Sequence, residues 1–102
     1  MPDYIIAYHG GTKPASPEEG AKQMEDWKKW LAGLGDAVVN PGTPLGMSKT
    51  VSSDGVTDSD NENRLTGYST VKAESLDAAI EMAKTCPFLK MGTLEVAEVM
   101  KM

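Results

Sequence analysis

Tyr4-Ile5-Ile6-Ala7-Tyr8-His9, closed by Gly10-Gly11, is the stretch whose reading decides the fold. A run this rich in β-branched and aromatic residues, stopped by two glycines, predicts a strand with both faces covered. Side chains alternate along a strand, so Tyr4, Ile6 and Tyr8 point one way while Ile5, Ala7 and His9 point the other. Downstream, Ser16-Pro17-Glu18-Glu19 combines a serine N-cap, proline at the first helical position and glutamate at the third, which is a strong helix start. From there Ala21, Met24, Trp27, Leu31 and Leu34 recur at three- and four-residue spacing, with Lys22, Glu25, Asp26 and Lys29 on the opposite side. That pattern predicts a helix with one face on a core. Gly33 and Gly35 supply its stop.

Ala37-Val38-Val39 reads as a short second strand, and Asn40-Pro41-Gly42-Thr43-Pro44-Leu45-Gly46 is expected to break regular pairing. Lys49 to Thr57, folded about Ser53-Asp54-Gly55, reads as a hairpin. Asp58 to Asn63 is acidic, lacks apolar residues and reads as an exposed loop. Leu65 to Val71 is a strand centred on Tyr68. Ser75 then caps a second helix with the stripe Leu76, Ala79, Ile80 and Ala83, ended by Pro87, and Leu94 to Met100 is the last strand. The order β-α-β-(hairpin)-β-α-β, in one domain spanning residues 1–102, predicts the α+β class. It implies a ferredoxin-like βαββαβ antiparallel sheet with two helices on one face and an inserted hairpin. The apolar second face of the sheet predicts a homodimer paired sheet to sheet.

Fifteen acidic residues against ten basic ones give a net charge of -5, which repels a polyanion, so no nucleic acid is expected as a partner. The lysines are scattered and Arg64 stands alone, leaving no basic stripe for an anionic membrane surface. No apolar run is long enough to span a bilayer, and Met1-Pro2-Asp3 opens no signal sequence, which points to a cytoplasmic protein. Cys86 is the single cysteine; it excludes an intramolecular disulfide and reads as a small apolar residue at a helix end. Seven methionines against two tryptophans, three tyrosines and one phenylalanine pad the core with flexible thioethers, and so small a domain gains from a partner subunit.

Taken in order, Tyr8-His9-Gly10-Gly11, Ser16-Pro17-Glu18-Glu19, Trp27, Trp30, Leu34-Gly35-Asp36 and Asn40-Pro41-Gly42 resemble the YCII-related domain family. Ser48-Lys49-Thr50-Val51, Leu65-Thr66-Gly67-Tyr68-Ser69, Ser75-Leu76-Asp77-Ala78-Ala79, Cys86-Pro87 and Leu94-Glu95-Val96-Ala97-Glu98-Val99 extend the resemblance over the whole chain. It implies a dimeric α+β barrel, in which two ferredoxin-like sheets face each other and enclose a pocket. One relative in this broad family resembles a dehydrochlorinase in which a histidine with a nearby aspartate is implicated in proton transfer. A subgroup carries Asp-Gly-Pro-Phe before the third core strand, where this chain has Ser59-Asp60-Asn61-Glu62-Asn63 instead.

His9 is the single histidine, placed at a strand end before two glycines that let a ligand approach the backbone. Imidazole suits general acid or base work near neutral pH, and Asp36 is the carboxylate expected to orient it; the alternative is a polar strand end bonded to the following loop. Tyr8, Gly10, Trp30, Asn40, Pro41 and Tyr68 are the candidate pocket lining, each equally suited to a turn or core position. Trp27 belongs to the core stripe, whereas Trp30 lies at its edge and could line a pocket or dimer seam. Gly10-Gly11-Thr12-Lys13 lacks P-loop spacing, and Lys13 beside the helix start is at most a weak anion contact. Asp58-x-Asp60-x-Glu62 mimics a calcium loop, but Asn63 replaces the required glycine and Ser69 the bidentate glutamate. With one His and one Cys there is no metal set, and no cofactor is expected. Two functions follow: a cofactor-free enzyme in which His9 moves a proton during elimination or isomerisation of a small ring-bearing molecule, or a dimeric module that binds such a ligand without chemistry.

Overall fold

The computed structural model describes residues 1–11, 16–58 and 64–100. Its elements are β1 (Asp3–Gly10), α1 (Pro17–Leu34), β2 (Val38–Pro44), β3 (Lys49–Ser52), β4 (Gly55–Asp58), β5 (Leu65–Lys72), α2 (Leu76–Ala83) and β6 (Gly92–Glu98), with 3-10 turns at Gly35–Ala37 and Pro87–Lys90. The main sheet runs β2-β5-β1-β6 with every neighbouring pair antiparallel. This is the ferredoxin-like α+β order expected of two split βαβ units. Lys13 and residues 59–63, including most of the calcium-like stretch and the position of the absent family motif, lie outside the described residues. Among the described residues no helix is long and apolar enough to cross a membrane.

Register explains the core. Tyr4, Ile6 and Tyr8 stand opposite Val71, Ser69 and Gly67, and directly paired residues share a face. The helix-side face of the sheet therefore carries Tyr4, Ile6, Tyr8, Ser69 and Val71, all buried, and the core is completed by Ala73 after β5, Ala79 on α2 and Cys86 beyond it. Both helix starts are capped as the sequence predicts: Ser16 Oγ accepts from Glu19 N at 3.2 Å and Ser75 Oγ from Ala78 N at 3.1 Å. Gly35, at φ 58°, ends α1, whereas Gly33 sits inside the last helical turn with open space around it.

The stripe of α1 departs from its expected reading. Trp30, not Trp27, is the buried tryptophan, and its indole N–H donates to Thr85 Oγ1 at 2.9 Å and Met82 O at 3.2 Å, tying α1 to the end of α2. Ala21 is exposed, and Met24 and Trp27 border a cleft. The helix thus covers core only along its C-terminal half.

Asn40-Pro41-Gly42 interrupts regular pairing, as expected, but does not end the second strand. β2 continues to Pro44 as an edge strand with two register irregularities, and at an edge proline's missing N–H is harmless. Asn40 Oδ1 accepts from Gly42 N at 2.8 Å, and Gly42 has φ 78° with its Cα against the Tyr68 carbonyl. Tyr68 is not buried: with Ile5, Ala7 and Thr70 it occupies the half-exposed face away from the helices. The expected hairpin is present as β3–β4, with Val51 opposite Val56, but all eight strand residues are exposed and it packs on little besides itself.

Two glycine substitutions separate these roles. Urea denaturation should find Gly42→Ala destabilised by about 2–4 kcal/mol, because a Cβ there meets the Tyr68 carbonyl in a left-handed backbone, while Gly33→Ala gains about 0.5–1 kcal/mol of helix stability.

Candidate functional site

A cleft of about 620 Å³ opens beside the Gly10 end of β1, between the N-terminal half of α1 and the turn at Pro87–Lys90. Its apolar lining combines Tyr8, Trp27 and Phe88 with Met24, Met91 and two prolines, the Tyr8 and Phe88 centroids lying 5.2 Å apart with rings tilted by 46°. Glycines make room for these rings. A Cβ on Gly67 would press on Tyr8 and the Thr43 carbonyl, and one on Gly92 would collide with His9 O and Phe88. Gln23, Thr66, Arg64 and Lys90 add polar groups, and Glu19 and Asp26 add acids from the helix wall.

The Tyr8 hydroxyl sits at the centre of a hydrogen-bond chain whose direction is fixed by its ends. The Trp27 indole only donates, and it reaches Tyr8 Oη at 3.0 Å; the Pro41 carbonyl only accepts, and it takes the Ser69 hydroxyl proton at 2.7 Å. Tyr8 must therefore donate to Ser69 Oγ, at 2.6 Å. Four elements, α1, β1, β5 and β2, are joined by this one chain. Burial pushes the Tyr8 phenol above its usual 10.0, with the indole N–H that it accepts from Trp27 acting in the opposite direction, so Tyr8 stays neutral and positions the wall.

Of the candidate residues, Tyr8 and Gly10 line the cleft. Trp30 lies in the core. Asn40 is an exposed turn former, Pro41 contributes its carbonyl to the Tyr8 chain, and Tyr68 is on the far face. His9 also points to the far face, where its Nε2 stands 3.1 Å from Glu95 Oε1 on β6. Asp36 is not its neighbour: the turn at Gly35–Ala37 leads into Val38, level with Val71 and Tyr4, five residues or about 16 Å along β1 from His9. Alternation along β1 separates Tyr8 from His9 as the sequence requires. The partner Glu95, by contrast, follows from strand register, which no local pattern shows. Trp27, Phe88 and Arg64 are the cleft residues that periodicity hides, because a stripe does not reveal where the core beneath it ends. Among the described residues no cluster of His, Cys, Asp and Glu could hold a metal ion.

The YCII-related domain matches residues 4–102. The chain belongs to the YCII-related domain family. Its fold is also that of a solved structure, 5-chloro-2-hydroxyhydroquinone dehydrochlorinase from Burkholderia phenoliruptrix in complex with 2,5-dihydroxybenzoquinone. The TM-score is 0.58 at 17% identity, over 95% of this chain and 93% of that one. No curated protein sequence matches this YCII-related chain.

Buried acids set the alkaline limit of the fold. Burial raises the Cys86 thiol above its usual 9.0 as it raises Tyr8 above 10.0. Both groups keep their protons longer in the folded chain than in the unfolded one, so their contribution is complete below about pH 9 and is lost as pH rises through the folded values. Denaturation between pH 7 and 10.5 should show stability falling from about pH 9, and Cys86→Ala should delay the onset of that fall toward the tyrosine range.

Proposed function

We propose that this protein binds a small planar organic molecule in the cleft beside Tyr8 and works as a homodimer in the cytoplasm without a cofactor. The observation that carries the binding reading is the cleft itself: about 620 Å³, within the usual range for ligand sites, walled by Tyr8, Trp27 and Phe88 and rimmed by a few polar groups. Aromatic walls of this kind favour a flat partner. The bound molecule of the similar structure, 2,5-dihydroxybenzoquinone, belongs to the same chemical class.

A catalytic reading is favoured by one further observation, the 3.1 Å pair of His9 and Glu95. An imidazole beside a carboxylate is an arrangement that general acid or base chemistry uses. The pair lies on the open sheet face with Ile5, Ala7 and Ala97, so a second copy covering that face would enclose it. In this reading the reacting molecule sits between the two facing sheets, on the side opposite the Tyr8 cleft, where His9 moves a proton during elimination or isomerisation and Glu95 takes the orienting place expected of Asp36. The dimer rests on that partly apolar face, and the cytoplasmic setting on the acidic composition and the single cysteine.

Titration with 2,5-dihydroxybenzoquinone should quench tryptophan fluorescence, and Trp27→Phe should remove most of the quenching and weaken binding about tenfold, whereas Trp30→Phe leaves affinity unchanged. Binding of no planar ring at millimolar concentration overturns the cleft reading. For catalysis, His9→Gln should abolish turnover with cleft binding intact; equal turnover in both proteins removes His9 from the chemistry. Sedimentation at micromolar concentration should give the dimer mass, and a monodisperse monomer defeats the homodimer.

A further inference from the structure

Arg64, the chain's single arginine, is held at the mouth of the cleft in an unusual way. It is half-buried, and it borders both the main cleft and a second hollow of about 320 Å³ lined by Leu45, Ser48, Asp58 and Thr66. Backbone bonds fix its position: its carbonyl accepts from Gly10 N at 2.7 Å, and its Nη2 reaches Gly11 O at a long 3.4 Å. That contact occupies one of five N–H donors.

Among the described residues no carboxylate stands within ion-pair distance of the guanidinium. Asp58 borders the same hollow but pairs with Lys49 at 2.8 Å. Glu19 and Asp26, the acids of the main cleft, stand on α1, where Gln23 Nε2 approaches Glu19 at 3.5 Å. A partly desolvated guanidinium with spare donors is completed best by an anion, which its planar fork grips through two parallel bonds. The chain's charge of -5 opposes anions at long range, but salt screens that field within about 10 Å, so the local contact decides.

From this geometry we infer that Arg64 determines the specificity of the cleft, selecting planar rings that carry an oxyanion over their neutral counterparts. The inference rests on the cleft reading above and adds the charge of the ligand. Stacking on Trp27 and Phe88 is indifferent to that charge, whereas the guanidinium is not.

Matched probes test it: hydroxybenzoates against the corresponding hydroxybenzamides, equal in shape and differing in charge, titrated by calorimetry into the full chain. The acids should bind about ten- to a hundredfold more tightly than the amides. Arg64→Gln should erase that preference by weakening the acids far more than the amides, and Arg64→Lys, which keeps the charge but loses the fork, should retain part of it. Circular dichroism and thermal melting confirm that each variant is folded. Equal affinity for acids and amides in the unmodified protein, or equal weakening of both by Arg64→Gln, overturns the role of Arg64 and leaves the cleft reading standing. If neither class binds, the cleft reading fails and this inference fails with it.

Discussion

A phenol buried at the end of a central strand must satisfy its hydroxyl inside the protein, and Tyr8 does so between an indole donor and a serine that passes its own proton to a backbone carbonyl. An unpaired buried hydroxyl costs about 1–3 kcal/mol, so Trp27, Ser69 and the path of β2 past Pro41 are constrained together. Moving any one of them would leave the others short of a partner. The cleft inherits its rigidity from this requirement: two of its three aromatic walls are partners in the chain, and the third, Phe88, packs against Tyr8.

The other tryptophan shows the same logic at the opposite end of the helix. Trp30 fills the core and spends its N–H on the last turn of α2 and Thr85, which sets the spacing of the two helices. The first half of α1 is thereby held over the sheet without descending onto it. The void left beneath is the cleft. One helix thus acts as a core element along half its length and as a wall along the other half.

Much of this was legible in the residues. Both serine caps, the strand at the chain's start, the hairpin and the order of elements follow from local chemistry, and that order suffices for the ferredoxin-like sheet. What was not legible depends on register and depth. The helical period places Trp27 and Trp30 on neighbouring faces, and both reach the core, yet the period does not show that Trp30 is the one fully buried while Trp27 also borders the cleft. Alternation puts His9 opposite Tyr8, but its carboxylate neighbour comes from β6 through a pairing some 86 positions downstream, Glu95 following His9 in space and not in sequence. Asn40-Pro41-Gly42 has the composition of a break, and becomes an edge strand because β5 offers it a partner and Gly42 lets it come close.

The β3–β4 ribbon stands apart from this interdependence. Its eight strand residues are solvent-exposed, with Val51 and Val56 paired on one side and a Lys49–Asp58 ion pair at its base. Two strands without a covering layer are marginally stable in water, so the ribbon opens at a far lower free energy than the four-stranded sheet. Its amides are expected to exchange first, and its opening leaves Tyr8 and its partners in place. The fold thus has one part that can come unpaired for a moment while the four-stranded sheet stays closed.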